Sequence, residues 1–449
     1  MSGSDALFTD LYELTMAASY HARGLDEPAT FDLFFRSLPE QRRFLVACGL
    51  EQVLDYLESL RFDGDSLSYL SSLDLFDASF LDRLRELRFS GEVWAVPEGE
   101  AVFEREPVVR VTAPLIEAQL VETYLLNCVS HQTMVASKAA RVALACGDHD
   151  FMDFSARRVQ GRDAALRGAR ASHVGGAWAT SLTLAGQVFG IPVSGTMAHS
   201  YVMRFAREVD AYRAFARDLP ERAVLLIDTY DTVEGAHQVV EVAKEVACEG
   251  VRVQGVRLDS GDLAELSRKV RSVLDAGGLH DVRIVASGDL DEHRIASLVQ
   301  GGAPIDSFGV GTKMGASTDA PSLNAVYKLV EDADGPKLKL SADKVTLPGR
   351  KQVHRMGGET AIEGDVIALH DEDVGDGEPL LEPVLADGAR TSPSPPLDAV
   401  RDRCRRTLER LPEWLRGLGD EELRPYPVEL SAGLEELLDR VGEAHGARR

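Results

Sequence analysis

The stretch AVLLIDTYD (223–231) decides the fold, because a short apolar run ends in polar residues and passes directly into a helical pattern. The same arrangement occurs at four other places, which are FMDF (151–154), VQGVRLD (253–259), VRIVAS (282–287) and IDSFGVG (305–311). From 223 onward, successive runs lie about twenty to thirty residues apart, which is the length of a βα unit. The pattern therefore predicts parallel strands that alternate with helices.

Polar residues end nearly every one of these runs. This favours an α/β barrel, whose active site lies at the carboxyl ends of its strands. An open doubly wound sheet is the alternative, in which such residues would gather at one switch point.

The two ends of the chain show different patterns. Near the amino terminus, short strands such as TFDLFF (30–35) are mixed with helices. Asp10 and Glu13 match a capping box that opens a helix ending near Gly24. Near the carboxyl terminus, an acidic and then Pro/Ser-rich composition predicts a surface loop or tail over 371–397.

The chain has 449 residues and a formal net charge of −24, from 49 basic and 73 acidic residues. This charge repels nucleic acid and anionic membrane surfaces, so neither is expected as a partner. The five cysteines include no C-x-x-C pair, which argues against zinc and suits a reducing cytoplasm. The sequence shows no secretion signal and no apolar run long enough to cross a bilayer. We expect a cytoplasmic protein, and we assign no metal ligand.

One histidine lies where phosphate chemistry is feasible. In GTMAHS (195–200), His199 falls in the first turn of an expected helix, with Thr196 as its N-cap. A helix start favours anions, and a neutral imidazole can attack a phosphoryl group. Asp228 closes AVLLID and is expected to orient His199, although it could equally cap the next helix. A packed or merely capping histidine is the alternative interpretation.

Arg257 and Asp259 flank Leu258 at the end of a strand, so alternation places both on one face. The guanidinium can bind a planar carboxylate with two hydrogen bonds. The carboxylate can accept from ribose hydroxyls or help to hold Mg²⁺. A purely structural ion pair is the alternative.

Three segments are typical of phosphate binding. Gly311 and Thr312 follow the strand IDSF, where a glycine lets backbone N–H groups approach a phosphate and threonine adds a hydroxyl. Gly288 stands in the similar segment Ser-Gly-Asp after VRIVA. Arg157, next to a second arginine after FMDFSA, suits pyrophosphate. Taken singly, these segments are equally consistent with tight turns and a solvated surface.

Taken together and in order, eight segments resemble the nicotinate phosphoribosyltransferases. The segments are TDLYELTM (9–16), FSARRVQG (154–161), GTMAHS (195–200), LIDTYD (226–231), RLDSGD (257–262), SGDLD (287–291), FGVGTK (308–313) and KVTLPGRKQVHR (344–355).

The resemblance implies an activity. Such enzymes join nicotinate to 5-phosphoribosyl 1-pyrophosphate, giving nicotinate mononucleotide and pyrophosphate in NAD salvage. ATP is a co-substrate, Mg²⁺ is required, and a phosphorylated histidine, here His199, couples ATP hydrolysis to the reaction. By similarity, Tyr12, Thr196 and Arg257 hold nicotinate, and Thr312 contacts the phosphoribosyl donor.

The resemblance also implies an architecture and an assembly. We expect an irregular α/β barrel over 126–345 and a second α/β domain built from both chain ends, with 346–449 packing against 1–125. The family is usually homodimeric, and the amino-terminal segment of one subunit completes the site of the other.

The sequence also bears on substrate choice. Nicotinamide-using relatives place a carboxylate near the pyridine amide, whereas the corresponding segment here, 173–190, contains no acid. A carboxylate would repel nicotinate, so its absence favours the acid substrate. A nicotinamide or quinolinate phosphoribosyltransferase and a non-catalytic ligand-binding barrel remain the alternatives.

Overall fold

The computed structural model describes residues 5–340, 346–419 and 424–444. These residues form two compact units. Unit 1 comprises the described residues of Met1–Ser137 and Ser322–Arg449, and unit 2 is Lys138–Pro321. The first residues of the segment KVTLPGRKQVHR, Lys344 and Val345, lie outside the described ranges.

The amino-terminal part of unit 1 mixes helices with short strands, as the sequence predicts. It opens with a 3₁₀ turn, Asp5–Leu7, and continues with α1 (Leu11–Arg23), β1 (Pro28–Phe35), β2 (Leu45–Val46), α2 (Leu50–Ser59), α3 (Gly64–Ser72), α4 (Ala78–Glu86), β3 (Glu92–Ala95), β4 (Ala101–Val102), β5 (Pro107–Pro114), α5 (Leu115–Leu120) and α6 (Glu122–Cys146). The last residues of α6, from Lys138, belong to unit 2.

The helix α1 ends at Gly24 in the left-handed conformation, as expected, but its start differs from the prediction. The Asp10 side chain makes no capping hydrogen bond. It accepts instead from Thr123 Oγ1 at 2.9 Å, and Glu13 accepts from the Thr123 N–H at 3.1 Å. The capping box is therefore wrong, because both acids are used to hold α1 against α6.

Unit 2 alternates strands with helices. Its elements are β6 (Asp150–Asp153), α7 (Arg162–Val174), β7 (Ala179–Thr180), α8 (Thr183–Phe189), α9 (His199–Met203), α10 (Glu208–Asp218), a 3₁₀ turn (Pro220–Arg222), β8 (Val224–Leu226), α11 (Thr232–Ala247), β9 (Gly255–Leu258), α12 (Leu263–Ala276), β10 (Arg283–Ala286), α13 (Glu292–Gln300), β11 (Ser307–Val310) and α14 (Thr312–Gly315).

The strands of unit 2 form one curled parallel sheet in the order β7-β6-β11-β10-β9-β8. An isolated parallel bridge joins Thr180 to Val193 beyond β7. Within the described residues the two end strands, β7 and β8, are not paired with each other, so the sheet is a half-barrel. The predicted α/β fold is confirmed, and all five apolar runs are strands of this sheet.

The carboxyl-terminal part of the chain returns to unit 1. Its elements are β12 (Ala325–Asp332), β13 (Gly335–Pro336), β14 (Lys351–Gly357), β15 (Ile362–Leu369), β16 (Glu378–Pro379), β17 (Glu382–Ala386), β18 (Ala389–Arg390), α15 (Leu397–Arg410), α16 (Glu413–Arg416), β19 (Val428–Leu430) and α17 (Ala432–Ala444).

An antiparallel sheet in the order β13-β12-β1-β5-β3-β17-β18 joins the two chain ends. Phe31 of β1 lies opposite Leu329 of β12, and its ring stacks on Tyr327 with centroids 4.8 Å apart. The second α/β domain built from both ends is thus present. The expected barrel boundaries, 126–345, include β12, but this strand belongs to unit 1 because it pairs with β1. The boundaries of the folding domains stay a prediction.

The segment 371–397 is not the loop or tail that its composition predicts. It contains three short strands, and β17 extends the unit 1 sheet beside β3, with Leu385 opposite Val93. Leu380, Leu381 and Leu385 are buried there. Sparse apolar residues are enough for a strand near the end of a sheet, and the surrounding acidic and proline residues hide that signal.

Candidate active site

The residues predicted to be functional follow neighbouring strands of unit 2. Arg257 lies on β9, Asp228 follows β8, Gly288 follows β10 and Thr312 follows β11. Because these strands are parallel and adjacent, their carboxyl ends meet at one edge of the sheet. The structure therefore brings these residues to one rim, as the sequence predicts.

Arg257 is the centre of the site. Its Nη2 donates to Asp259 Oδ1 at 2.7 Å, its Nε to Ser287 Oγ at 2.8 Å and its Nη1 to Thr196 Oγ1 at 3.2 Å. The guanidinium also lies over the ring of Phe154, 5.5 Å from its centroid. The side chain is 12% exposed, so this cation is held in one place by contacts on three sides.

Asp259 is an ionised carboxylate at the rim. Burial raises its pKa, but the hydrogen bond from Ser287 and the charge of Arg257 together lower the pKa by more than burial raises it. The pKa of Asp259 therefore lies below its ordinary value. Asp259 Oδ2 faces His199 Nε2 at 3.9 Å. The carboxylate thus connects Arg257 with the histidine.

His199 is the first residue of the five-residue helix α9. Its Nδ1 lies 3.2 Å from Thr229 Oγ1, and its side chain is 41% exposed. The predicted N-cap, Thr196, is wrong: Ala198 occupies that position, and the Thr196 hydroxyl accepts from Arg257. Thr196 does not cap the helix, because Ala198, in the extended conformation, is the residue directly before its first turn.

Asp228 does not pair with His199, contrary to the sequence-based expectation. Its Oδ2 accepts from the Asp259 N–H at 2.8 Å and from Ser260 Oγ at 2.6 Å. Its Oδ1 is buried and has no hydrogen-bond partner. Asp228 braces the loop after β9 because it ends the adjacent strand, and Thr229 takes the position beside the imidazole.

The loops of the expected phosphate cradle approach closely. Gly288 has φ +93°, and a Cβ there would lie 1.9 Å from the Asp259 carbonyl oxygen, so only glycine fits. A Cβ on Gly311 would lie 3.3 Å from the Phe154 carbonyl oxygen. Thr312 begins the short helix α14. These glycines bring the loops after β9, β10, β11 and β6 together.

Two predicted residues take no part in the hydrogen bonds of Arg257, Asp259 and His199. Arg157 is exposed in the turn after β6, which pairs with β11, and thus belongs to the same rim. Tyr12 is in unit 1, on α1, where its side chain is 47% exposed. Tyr12 is therefore not part of the hydrogen-bonded cluster around Arg257.

Sequence reasoning missed three residues. Phe154 presents its ring to Arg257, Ser287 bridges Arg257 and Asp259, and Thr229 contacts His199. One signal was present for each, because Phe154 and Ser287 are the last residues of predicted runs and Thr229 directly follows one. The alternating Gly309 and Gly311 also leave room for an aromatic ring, since a Cβ on Gly309 would lie 2.5 Å from Phe154.

A cavity of about 910 Å³ runs inside the curled sheet of unit 2. Phe154, Trp178 and Thr196 line it, together with residues at the amino ends of β8, β9 and β10. The cavity is large enough for a small aromatic ligand, and Arg257 lies against the ring of its wall residue Phe154.

Three family descriptions match the chain. The nicotinate phosphoribosyltransferase (NAPRTase) N-terminal domain matches residues 7–130, the NAPRTase family matches 149–347, and the nicotinate phosphoribosyltransferase C-terminal domain matches 375–438.

The chain is similar to curated and solved relatives. It is 47% identical to a nicotinate phosphoribosyltransferase of Mycobacterium tuberculosis, over 98% of this chain and 95% of that one. It is 46% identical to the Bacillus subtilis nicotinate phosphoribosyltransferase, over 83% of this chain and 77% of that one. The crystal structure of human nicotinic acid phosphoribosyltransferase superposes with a TM-score of 0.87 at 30% identity, covering 96% of this chain and 99% of the human one. With these matches along nearly its whole length, the chain belongs to the nicotinate phosphoribosyltransferase family.

Proposed function

We propose that this enzyme condenses nicotinate with 5-phosphoribosyl 1-pyrophosphate to give nicotinate mononucleotide and pyrophosphate, and that ATP drives the step through a phosphate carried on His199. One observation supports this most strongly. His199, Asp259, Arg257 and Thr196 form a continuous chain of contacts at a single rim. A phosphate acceptor and a cation suited to a pyridine carboxylate are thus coupled through one acid.

The geometry around Arg257 suits the acid substrate. Its guanidinium lies over Phe154 and bonds the Thr196 hydroxyl, and both of these residues line the cavity. An aromatic face, a cation and a hydroxyl thus lie together, which suits a pyridine carboxylate. The segment 173–190 brings no carboxylate. This favours nicotinate over nicotinamide.

The rim loops suit the phosphoribosyl donor. Breaking the anomeric C–O bond leaves positive charge on the ribose and negative charge on pyrophosphate, so fixed groups of opposite sign lower the barrier. Asp259 accepts hydrogen bonds from the ribose hydroxyls, and Arg157 is a cation that stabilises the pyrophosphate leaving group. Gly311 supplies a backbone N–H and Thr312 a hydroxyl as donors to the phosphate of the donor substrate. Catalysis here consists of positioning and charge stabilisation.

Mg²⁺ fits the residues present. Within the described ranges, no group of three or more His, Cys, Asp or Glu side chains is placed to bind a metal ion. Mg²⁺ commonly needs only one or two protein carboxylates besides substrate phosphates. Asp228, with its unpartnered Oδ1, is the residue that would help to hold it. When bound, Mg²⁺ would neutralise charge on the pyrophosphate.

His199 is placed for nucleophilic attack. With Nδ1 donating to Thr229 Oγ1, the lone pair of Nε2 points towards the rim. Nε2 attacks the γ-phosphorus of ATP, an N–P bond forms, the bond to the bridging oxygen breaks and ADP leaves. The imidazole becomes positively charged, and Asp259 stabilises that charge from 3.9 Å. Water later hydrolyses the phosphohistidine. The change in charge beside Arg257 is the means by which ATP alters the substrate site.

The activity is tested by product identification. The protein is incubated with 5-phosphoribosyl 1-pyrophosphate, Mg²⁺, ATP and one of nicotinate, nicotinamide or quinolinate, and kcat/KM is compared. Nicotinate is expected to give the highest value, with formation of ADP. A preference for nicotinamide or quinolinate would replace the proposed substrate. Binding without turnover of any of the three would identify a non-catalytic barrel.

Assembly as a homodimer is part of the proposal. Leu7, Phe8, Leu11 and Tyr12 are all exposed apolar or aromatic residues at the start of the chain, between 36% and 50% exposed. Such a cluster is typical of an interface, and a second copy whose site receives Tyr12 would cover it. Light scattering should show a dimer, and Leu11→Asp should shift it towards monomer. A monodisperse wild-type monomer would contradict this assembly.

The proposed location is the cytoplasm. All five cysteines lie in the described part of the chain and none of them forms a disulfide, which suits a reducing compartment. No helix in the described ranges is both long and apolar enough for a membrane span. Fractionation of cells that express a tagged chain tests this location.

A further inference from the structure

A second cavity of unit 2, of about 450 Å³, is lined by a residue that follows the proposed phosphohistidine's contact Thr229 in the chain. Glu208, Tyr230, Asp231 and Gln238 line it, on α10 and at the start of α11. Tyr230 directly follows Thr229, whose hydroxyl contacts His199. A residue that lines the cavity is therefore the chain neighbour of a residue at the site where ATP would lose its γ-phosphoryl group.

Tyr230 leaves an aromatic face available at this cavity. Its side chain is 68% exposed, the highest value among the large apolar and aromatic side chains of the described residues. It lies in the segment LIDTYD, and the reaction proposed above assigns it no task. Exposed aromatic rings next to a cavity are typical platforms for a flat ligand.

The cavity also offers hydrogen-bond acceptors without donors. Glu208 is 8% exposed, and its Oε1 is buried without a hydrogen-bond partner. Gln238 Oε1 is likewise buried and unpartnered. Buried acceptors are costly to leave unsatisfied, so these two oxygens favour an occupant that carries N–H groups.

The charge of the cavity excludes a phosphate as its occupant. Glu208, Asp231, Glu234 and Glu241 line it against one cation, Arg207, which is already bonded to Asp210 at 2.7 and 2.8 Å. An anionic group would be repelled, whereas a neutral heteroaromatic ring with an amino group would meet both the tyrosine face and the acceptors. A purine with an exocyclic amine has this chemistry.

We propose that Tyr230 and this cavity bind the purine base of ATP, with Glu208 and Gln238 accepting from its exocyclic amine, while the triphosphate extends towards His199. This inference rests on the ATP coupling proposed above. It adds the recognition of the base: Tyr230 supplies stacking, and the buried acceptors supply selectivity for the amino group.

The first experiment measures the KM for ATP from ADP formation, at saturating nicotinate and 5-phosphoribosyl 1-pyrophosphate. Tyr230→Ala should raise this KM roughly tenfold, because base–aromatic stacking commonly contributes that much affinity. Tyr230→Phe keeps the ring and should stay within about twofold. Tyr69→Ala removes another exposed tyrosine, 55% exposed on α3 in unit 1, and should have no effect. Thermal unfolding of each variant confirms folding.

The second experiment begins with the wild-type protein, so its first comparison does not depend on a variant that folds. Purine riboside triphosphate lacks the 6-amino group and should show a higher KM than ATP, whereas Glu208→Ala should reduce the difference between the two. Inorganic tripolyphosphate has no base, and phosphorylation of the protein by it should be insensitive to Tyr230→Ala.

The outcomes separate this inference from the proposed function. If the wild-type protein neither binds ATP nor forms ADP, the ATP coupling is wrong and the base subsite falls with it. If the wild-type protein uses ATP but Tyr230→Ala has an unchanged KM for ATP, only the base subsite is wrong. Equal KM values for ATP and purine riboside triphosphate would overturn the role of Glu208 and Gln238.

Discussion

Arg257 and Asp259 form an ion pair, with Nη2 and Oδ1 2.7 Å apart, across the end of a single strand. Alternation along β9 places both side chains on one face, while Leu258 between them is fully buried on the other. Ser287 from the next strand bonds both partners. The relationship explains how two residues that are close in sequence come to hold opposite sides of the proposed site.

Arg257→Lys should remove substrate binding without unfolding the protein. Lysine keeps the charge but cannot contact Thr196, Ser287 and Asp259 together. We expect kcat/KM for nicotinate to fall on the order of 100-fold, as for loss of a buried charged hydrogen bond. Steady-state kinetics measure this. Arg213→Lys, in the pair with Glu245 on the outside of unit 2, is the matched control and should keep wild-type kinetics. An equal loss in both variants would argue against the role of Arg257.

Gly288→Ala should destabilise unit 2. The residue has φ +93°, and an added Cβ would clash with the Asp259 carbonyl oxygen. Gly278 is also left-handed, at φ +81°, but nothing lies within 4 Å of its Cβ position. We expect Gly278→Ala to cost about 1 kcal/mol and Gly288→Ala at least about 2 kcal/mol more, by urea unfolding. Equal losses would show that the loops after β9 and β10 do not approach as described.

Arg294 braces the rim through two carbonyl groups. Its guanidinium donates to Gly288 O at 3.1 Å and to Gly261 O at 3.4 Å, so it ties the loop after β10 to the loop after β9. Arg294→Lys cannot make both bonds and should raise the KM for 5-phosphoribosyl 1-pyrophosphate roughly tenfold.

The control for this brace is Arg271→Lys. Arg271 also bridges two carbonyls, Val282 O and Leu279 O, but before β10, at its amino end. Arg271→Lys should lower the melting temperature while leaving the KM for 5-phosphoribosyl 1-pyrophosphate unchanged. If Arg294→Lys lowers stability with no change of KM, its role is structural alone.

Glu13 should make stability depend on pH. Burial raises its pKa from 4.5 to about 7, outweighing the hydrogen bonds from Thr123 and Thr9 that lower it. Because the folded protein then holds a proton that the unfolded chain has lost, stability should fall as pH rises from about 4.5 to about 7. Glu13→Gln, which cannot ionise, should flatten this part of the melting-temperature profile. An identical slope in the variant would place the titration elsewhere.

The sequence predicts the site better than it predicts the contacts within it. Strand ends could be located because apolar runs are interrupted by polar residues, and parallel strands necessarily bring those ends together. The pairing of Asp228 with Ser260 and the Asp259 N–H could not be foreseen, because it depends on the close approach of two loops around Gly288. Hydroxyl side chains such as Ser287 and Thr229 are equally common in ordinary turns, so their type alone carried no signal.

The strands near one end of the unit 1 sheet show the same limit. Residues 382–386 form a strand because β3 offers an unpaired edge, which is a property of the assembled sheet. No local pattern in that acidic segment indicates the partner. By contrast, the buried strand β1 is apolar enough to be found without knowing that β12 lies beside it.

The most direct test of the account is to incubate the protein with ATP labelled on its γ-phosphate and Mg²⁺, quench in alkali and identify the labelled residue by mass spectrometry. We predict that His199 carries the label and that the label is absent from His199→Ala. When nicotinate and 5-phosphoribosyl 1-pyrophosphate are then added, the label should leave His199 while nicotinate mononucleotide forms. Coupled ADP formation that persists in His199→Ala, or label at another residue, would contradict the account.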